Sequence, residues 1–280
     1  MATVFEVIRG LWNPPRPPGI LLQKDKLDRM IPENFAHYKS WGFNIYRTHY
    51  SKESDKYWAM LLDALKRQTY LALRYLEEDS EYELDTRVRI RKLRIYHHPN
   101  KEDYMEDLVR LRKLFHLEVR EGPELEGLDI YQVRKISAEE NKQGKVIIVG
   151  GCVQYVLVAD ESVLRDIAKG EFVVKAVAYK WDSCMNWGWM RIPTGSLLEL
   201  WQSLVTSDGM DRDTIWFLGP EKELEKCIWP GDDSMPSTGC YSKVRPLYRH
   251  YSGQTLWHDI EELQRARAAR ICEQLRIAEK

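Results

Sequence analysis

The sequence lacks an excess of charge of either sign. Its 280 residues include 42 Lys and Arg against 43 Asp and Glu, for a formal net charge of −1. A general nucleic-acid-binding protein carries a global positive field, so this balance leaves room only for a local basic patch. The first residues lack the apolar core of a signal peptide, and no run approaches the roughly 18 apolar residues of a membrane span. These absences predict a cytoplasmic protein without a membrane partner.

Metal and cofactor motifs are also missing. The five cysteines are odd in number and widely spaced without a CxxC pair, which argues against a disulfide framework and against a zinc site. We expect reduced thiols that behave as small buried apolar residues. The sequence contains no HExxH, no GxGxxG, no P-loop motif and no GxSxG. The sequence therefore predicts no metal and no cofactor, while a Cys–His pair assembled only in space stays open.

Strand-like and helix-like segments alternate along the chain. The strands are amphipathic, and Gly150-Gly151 between two β-rich runs is typical of a hairpin turn. This pattern predicts an α+β fold with a mixed or antiparallel sheet flanked by helices. Strands are predicted at 42–50, 116–121, 172–182 and 187–193, and on both sides of Gly150-Gly151 within "GKVIIVGGCVQYVLVAD". Helices are predicted at 54–76, 102–113, 127–142, 161–170, 194–204 and 222–229, with Ser54 as the N-cap of the first of them.

One main domain is predicted at 41–256. Before it, residues 1–40 read as an irregular proline-rich arm, because "NPPRPPG" disfavours helix. After it, residues 257–280 read as an amphipathic C-terminal helix, and residues 230–256 as a loop. No linker divides the middle of the chain.

The first candidate site is the segment "GFNIYRTHYSKESD". Arg47 falls on the strand face of Phe43 and Ile45, where an apolar residue was due. A guanidinium at the end of a strand can bind a carboxylate or a phosphate, and the alternative is a structural ion pair with Asp55. The predicted catalytic residues are Tyr46, Arg47, His49 and Asp55.

The second candidate site is "KWDSCMNWGWMRIP", residues 180–193. Its tryptophans can stack a base or hold a cation, and Asp182 between aromatic walls would suit a guanidinium. A tryptophan-rich core is the alternative. The residues predicted to bind substrate in this segment are Asp182, Trp187, Trp189 and Arg191.

A basic run follows the first predicted helix. It lies in "TRVRIRKLRIYHHPNK", which is compatible with a strand with one basic face or with a basic helical turn. Basic residues beside aromatics suit an RNA backbone, whereas most charge runs are solvated faces. The candidate RNA contacts are Arg87, Arg89, Arg91, Lys92 and Arg94.

Three segments carry a resemblance to a known family. The segments "WGFNIYRTHY", "YVLVADESVL" and "WGWMRIPTGSLLELW" resemble the fungal arginine-containing cyclodipeptide synthases over about residues 41–205. The resemblance implies an aminoacyltransferase that joins amino acids from charged tRNAs into a 2,5-diketopiperazine, with arginyl-tRNA and a second aminoacyl-tRNA as partners. It implies a negative pocket for the arginine side chain, for which Asp160, Glu161 and Asp182 are candidates, and a group that moves a proton from the attacking amine, for which Tyr46, His49 or an acidic residue would serve.

Two other functions stay open at this point. One is a non-catalytic interaction protein whose proline-rich arm and C-terminal helix dock a partner. The other is a natural-product enzyme that acts without tRNA. No motif in the sequence decides among the three.

Overall fold

The described part of the protein is built around a mixed sheet of seven strands. A computed structural model describes residues 4–15, 27–90, 101–144, 154–181, 187–206, 221–229 and 240–241, with the single positions 265, 268, 269 and 272. The strands are β1 (Trp41–Arg47), β2 (Phe115–Arg120), β3 (Tyr155–Ala159), β4 (Val173–Ala178), β5 (Trp189–Pro193), β6 (Cys227–Ile228) and β7 (Cys240–Tyr241). The helices are α1 (Val4–Leu11), α2 (Lys52–Ile90), α3 (Lys101–Leu114), α4 (Ile130–Lys142), α5 (Glu161–Ala168) and α6 (Leu197–Thr206).

The strand order is β2-β1-β3-β4-β5-β6-β7. β1 is parallel to β2 and to β3, whereas β4 is antiparallel to β3 and to β5. β6 is parallel to β5, and β7 is antiparallel to β6. Helices flank this mixed sheet, which confirms the predicted α+β class.

The two faces of the sheet differ in chemistry. On the first, here called the apolar face, Trp41, Phe43 and Ile45 are at most 1% exposed. Trp41 packs there against Trp201 of α6, with ring centroids 5.2 Å apart. The stripe predicted for α2 is buried as well: Trp58, Leu61 and Leu65 belong to the same core and Leu62 packs against it. Burial of this apolar area is the main source of stability.

The opposite face, here called the polar face, carries charged side chains across the middle of the sheet. The strand registers place Tyr46, Val158, Lys175 and Arg191 side by side on four adjacent strands. Lys175 and Arg191 are 2% and 0% exposed. Buried charges need partners, so this row predicts where the polar groups of the protein converge.

The start of α2 differs from the prediction. β1 ends at Arg47 instead of continuing to 50, and α2 begins at Lys52 rather than at 54. Ser51 precedes the helix, and its Oγ accepts from the Ser54 N–H at 3.1 Å while the Ser54 Oγ accepts from the Ser51 N–H at 2.7 Å. Ser51 therefore takes the N-cap position predicted for Ser54, which instead closes a reciprocal capping box from the third helical position.

The N-terminal arm contains ordered structure. Residues 4–11 form α1, and a 3₁₀ helix spans Pro32–His37. Ile8, Leu11 and Trp12 join the core. The Nη1 group of Arg29 donates to both carboxylate oxygens of Asp107 on α3, at 3.0 Å to Oδ2 and 3.2 Å to Oδ1. The prediction of an irregular arm missed α1 because prolines 14, 15, 17 and 18 follow this helix rather than interrupt it.

Several predicted features lie wholly or partly outside the described residues. These are the Gly150-Gly151 turn with the β-rich run before it, residues 91–100 of the basic segment, Asp182, and most of the ranges 230–256 and 257–280. At 265, 268, 269 and 272 the backbone is helical. Among the helices of the described ranges, none combines the length and the apolar character that crossing a membrane requires.

Candidate active site

The strand order reverses direction at β1 and β3. β1 and β3 are neighbours in the sheet. From β1 the chain continues to β2 on one side of this pair, and from β3 it continues to β4 on the opposite side. In open sheets with parallel strands, such a reversal opens a crevice outside the carboxyl ends of the strands, and ligands bind there. The Thr48 N–H donates to the Ala159 carbonyl at 3.0 Å, so the residues that follow β1 and β3 are direct neighbours. The structure thus brings Thr48, within the predicted site at 46–55, next to Asp160.

A buried lysine lies at the centre of this region. The Lys175 ammonium donates to Asp160 Oδ2 at 2.6 Å and to Glu225 Oε1. It also lies 5.0 Å from the centroid of the Trp189 ring, in cation–π range. The lysine is 2% exposed, but the side chains of Asp160 and Glu225 are 26% and 32% exposed. The cluster is therefore buried on the protein side and open to solvent through its carboxylates.

One hydroxyl connects the two carboxylates. Ser162 Oγ is 2.8 Å from Asp160 Oδ1 and 3.0 Å from Glu225 Oε2. Asp160 is also the N-cap of α5, and its Oδ1 accepts from the Val163 N–H at 3.0 Å. Burial acts to raise the pKa of Asp160, but the charge and hydrogen bond of Lys175, with the Val163 and Ser162 donors, hold that pKa below its ordinary value. Asp160 is therefore ionised at neutral pH.

An aromatic wall with a third carboxylate borders the cluster. The Trp189 Nε1–H donates to Glu221 Oε1 at 3.3 Å, and the Tyr131 hydroxyl donates to the same oxygen. Glu221 and Glu225 both lie on the 3₁₀ helix Glu221–Lys226. Trp189 thus has Lys175 against its ring and Glu221 at its polar edge.

Arg191 does not face the crevice. Its side chain is fully buried, and its Nη2 pairs with Asp166 of α5 and, at 3.3 Å, with Glu171. Its Nη1 donates to the backbone carbonyl of Glu225. The structure therefore corrects the prediction of a substrate contact: Arg191 is an interior ion-pair residue that fixes the 3₁₀ helix carrying Glu225 to β5.

Arg47 is likewise engaged within the protein. Its guanidinium donates to the His49 carbonyl at 3.0 Å, to Ser54 Oγ at 2.9 Å and to the Asp55 carboxylate. The side chain is 6% exposed, and the guanidinium lies 4.5 Å from the Tyr50 ring centroid. The structural ion pair that the sequence left open is present, and it ties the end of β1 to the first turn of α2. The Asp55 side chain is 69% exposed.

Tyr46 is buried on the polar face beside α4. Its hydroxyl donates to Glu140 Oε2 at 2.6 Å. Burial and this hydrogen bond raise the pKa of Tyr46 well above its ordinary value, so the phenol stays protonated at neutral pH. Arg120 Nε lies 3.3 Å from the same carboxylate oxygen of Glu140. Tyr46 can donate a hydrogen bond, but it is a poor choice for the predicted proton acceptor.

Three other predicted residues take peripheral places. His49 is 29% exposed and its Nδ1 is 4.0 Å from Glu126 Oε1. Glu161 pairs with Arg165 one turn along the exposed side of α5. Trp187 is 5% exposed, and its carbonyl accepts from Arg134 at 2.7 Å. None of these contacts places Glu161 or Trp187 within the Lys175 cluster.

Thr48 adds an unused polar group next to the cluster. The residue is 3% exposed, and its Oγ1 has no hydrogen-bond partner within the described part of the chain. The parallel β1–β3 register pairs Arg47 with Ala159. The next residue along each strand is Thr48 and Asp160, so these two residues lie opposite each other. A buried hydroxyl without a partner costs free energy, which a bound ligand would recover.

The part of the basic run that the structure describes is distant from this site. Arg87 and Arg89 fall within α2, so the strand alternative is wrong for residues 86–90, while Arg91, Lys92 and Arg94 lie outside the described residues. α2 begins beside the site, and a helix rises about 1.5 Å per residue. Arg87 is therefore about 50 Å along the helix from the site.

Sequence reasoning missed the groups that converge at the site. These are Lys175, Glu225, Ser162, Glu221 and Tyr131. One signal was available, because Lys175 is the single charge in the strand sequence "VVKAVA", the same kind of interruption that drew attention to Arg47. Its partner Glu225 is 50 residues away, and no periodicity links the two.

Comparisons with known proteins give no assignment. No protein-family model, no curated protein and no solved structure matches the chain. Within the described ranges, no group of three or more His, Cys, Asp or Glu is arranged to hold a metal ion.

Proposed function

We propose that this protein is an aminoacyl-tRNA-dependent cyclodipeptide synthase that forms an arginine-containing 2,5-diketopiperazine in the cytoplasm. The observation that carries the proposal is the cluster of Asp160, Glu225 and Lys175 outside the carboxyl ends of β1 and β3. Two carboxylates face one ammonium, so the cluster has a net charge of −1. It suits a cationic substrate group.

Both cationic groups of an arginyl ester fit this environment. An α-ammonium or a guanidinium can donate to the exposed sides of Asp160 and Glu225, and Glu221 supplies a further carboxylate nearby. Charge-assisted hydrogen bonds of this kind are stronger than neutral ones. Thr48 Oγ1 offers an acceptor for one more N–H. The resemblance of residues 41–205 to the fungal synthases agrees with this substrate class.

The reaction needs orientation and proton transfer. The amine of one aminoacyl ester attacks the ester carbonyl of the other, and the tRNA 3′-oxygen leaves. A second attack within the dipeptidyl ester closes the ring and releases the second tRNA. Holding the two esters together converts a slow bimolecular step into an effectively unimolecular one.

The tRNA would extend away from the site along α2. The part of the basic run within α2, Arg87 and Arg89, lies about 50 Å from the carboxyl ends of the strands, by the rise of the helix. It would therefore contact a part of the RNA remote from the aminoacyl end. Contacts of this type add affinity that falls with salt.

Expression in a bacterial host tests the function. We expect mass spectrometry of the medium to detect an arginine-containing diketopiperazine, and expect Glu225→Gln to reduce it strongly, because the amide removes the negative charge without changing the size of the side chain. Glu139→Gln is the matched control, since Glu139 is 59% exposed and contacts Lys142 and Gln143 at the end of α4, away from the Lys175 cluster.

Purified protein then tests the RNA requirement. We expect product from charged tRNA and none after RNase treatment, and expect Arg87→Glu with Arg89→Glu to lower the rate at limiting tRNA. Soluble wild-type protein that yields no diketopiperazine in the host or with charged tRNA would contradict the proposal. Product that survives RNase would instead identify an enzyme that does not use tRNA.

A further inference from the structure

The hydroxyl of Thr48 is a buried polar group that the fold holds in place without a partner. The residue is 3% exposed, and its Oγ1 makes no hydrogen bond within the described part of the chain. The backbone is fixed on both sides, because the Thr48 N–H donates to the Ala159 carbonyl at 3.0 Å and the Thr48 carbonyl accepts from the Gly127 N–H at 2.9 Å. The backbone therefore cannot turn this hydroxyl toward solvent, and the unmet hydrogen bond costs free energy until a partner arrives.

Thr48 and Asp160 extend the polar face beyond the ends of β1 and β3. The register pairs Tyr46 with Val158 on that face, and strand residues two positions apart point to the same side of a sheet. Thr48 follows Tyr46 by two residues and Asp160 follows Val158 by two, so both side chains lie on the polar face. The contact of the Asp160 carboxylate with Lys175, at 2.6 Å, agrees with this placement. The Thr48 hydroxyl, the Asp160 carboxylate and the Lys175 ammonium therefore follow one another across adjacent strands.

The Asp160 carboxylate has room for one more donor. A carboxylate offers about four acceptor sites, two on each oxygen. Oδ1 accepts from the Val163 N–H at 3.0 Å and from Ser162 Oγ at 2.8 Å, whereas Oδ2 accepts from Lys175. The acceptor site that is left belongs to Oδ2. The side chain of Asp160 is 26% exposed, so the carboxylate next to the buried Thr48 can be reached from the crevice.

Two acceptors on adjacent strands fit one tetrahedral nitrogen. Two oxygens that each lie about 2.9 Å from an ammonium nitrogen are about 4.7 Å apart, and neighbouring strands are spaced by about 4.8 Å. A guanidinium binds a carboxylate best with two parallel N–H groups, one to each oxygen. At Asp160 this fork is disfavoured, because Oδ1 already has two donors. Thr48 and Asp160 thus favour a primary ammonium over a guanidinium.

We propose that Thr48 Oγ1 and Asp160 Oδ2 together bind the primary ammonium of the substrate, which is the α-ammonium of an aminoacyl ester. The inference rests on the proposed function for the identity of the molecule that carries this group. One N–H donates to the carboxylate and a second donates to the hydroxyl, so the amino group is oriented before it reacts. Lys175 has the same charge as the ligand, but it is shared between Asp160 and Glu225, and the cluster keeps its net charge of −1.

Two probes that differ only in the α-amino group test this assignment. The first is 3′-(L-arginylamino)-3′-deoxyadenosine, in which a stable amide replaces the reactive ester of the tRNA end. The second is the same molecule with hydrogen in place of the α-amino group. We expect isothermal titration calorimetry on the full chain to show that the first probe binds more tightly by about 10-fold or more, because its ammonium makes charge-assisted hydrogen bonds.

Thr48→Val removes the hydroxyl and keeps the shape of the side chain. We expect it to reduce the preference for the amino probe by about 5- to 10-fold. We also expect its stability in urea unfolding to equal or exceed that of the wild type, because an unpaired buried hydroxyl is lost. Thr48→Ser keeps the hydroxyl and should retain the preference.

Thr194→Val is the matched control for Thr48→Val. Thr194 is also buried, but its Oγ1 contacts Gln68 Oε1 of α2 at 2.6 Å and the Phe172 carbonyl at 3.3 Å. The same substitution there removes a satisfied hydroxyl. We expect it to lower the stability of the protein and to leave the preference between the two probes unchanged.

Three results overturn the ammonium site. The first is equal affinity for the two probes, or no binding of either. The second is a Thr48→Val protein that keeps the wild-type preference, which means that at most water occupies the hydroxyl. The third is a Thr48→Val protein that is destabilised as much as Thr194→Val, because the hydroxyl then has a partner in the free protein.

The synthase function is judged separately, by diketopiperazine formation in the wild type. Product together with equal probe affinities removes the ammonium site and leaves the synthase function standing. A preference for the amino probe that depends on Thr48, without any product, leaves the ammonium site standing and removes the synthase function.

Discussion

Arg47 and Asp55 form an ion pair across the turn that joins β1 to α2. The guanidinium is 6% exposed, whereas the carboxylate is 69% exposed. The same guanidinium also holds the His49 carbonyl and Ser54 Oγ. Arg47 is therefore the hub of the turn, and Asp55 is one of several partners at its solvent side. Because this turn carries Thr48, its order matters for the candidate active site.

We expect unequal costs when the two partners are replaced. Arg47→Lys keeps the charge but loses the fork that serves three acceptors, and the buried acceptors left behind should cost about 1–3 kcal/mol of unfolding free energy. Asp55→Asn removes an exposed partner and should cost less than about 1 kcal/mol. Urea unfolding of both variants measures the difference. Equal costs would mean that the ion pair, and not the buried hub, holds the turn.

The local parts of this fold could be predicted from the sequence. The stripe of Trp58, Leu61 and Leu65 predicted α2, and the alternation around Phe43 and Ile45 predicted β1, because each pattern depends on neighbours one turn or two residues away. The end of β1 was harder to predict, since Thr48 and Tyr50 also fit a strand. Ser51 and Ser54 are both good N-caps, and only the backbone geometry shows which residue precedes the helix.

The site itself depends on contacts that are distant in sequence. Lys175 meets Glu225 and Arg191 meets Asp166 only after the sheet has formed. The sequence predicted Asp160 and Trp189, and the structure places both beside Lys175. The sequence also predicted that Arg191 binds substrate, but this side chain is buried in the interior, where it pairs with Asp166 and Glu171. A charged residue in an otherwise apolar strand thus indicates a buried polar cluster. The sequence pattern does not show which of the charged residues in that cluster faces a ligand.

Gly42 offers a sharp test of the strand packing. Its φ is +133°, and a Cβ built there would lie 1.8 Å from the backbone carbonyl oxygen of His116 on β2. Gly42→Ala must therefore push β1 and β2 apart, and we expect a loss of more than about 3 kcal/mol of unfolding free energy. Thermal and urea unfolding measure it.

Gly144→Ala is the matched control for Gly42→Ala. Gly144 also has a positive φ, +70°, but no atom of the described residues lies within 4 Å of its Cβ position. Its replacement should cost only the backbone term of about 1–2 kcal/mol. A Gly42→Ala protein as stable as Gly144→Ala would contradict the close approach of β1 and β2.

Cys227 and Cys272 should differ in reactivity. Cys227 is buried, and burial, with a contribution from the nearby negative charge of Glu223, raises its pKa to about 12. Because the thiolate is the reactive form, a higher pKa means that Cys227 stays a protonated, unreactive thiol at pH 8. Cys272 is exposed, which departs from the expectation that every cysteine is buried. We expect iodoacetamide at pH 8 to modify Cys272 in the folded protein and to leave Cys227 unmodified, as peptide mass spectrometry can measure.

Unfolding provides the control for the cysteine experiment. In urea both thiols should react at similar rates, because the burial that protects Cys227 is lost. In the folded protein Cys272→Ser should abolish modification at position 272 and leave Cys227 protected. Rapid modification of Cys227 in folded protein would show that the 3₁₀ helix Glu221–Lys226 opens readily. Such opening would move Glu225 away from Lys175, so the cysteine also reports on the integrity of the candidate active site.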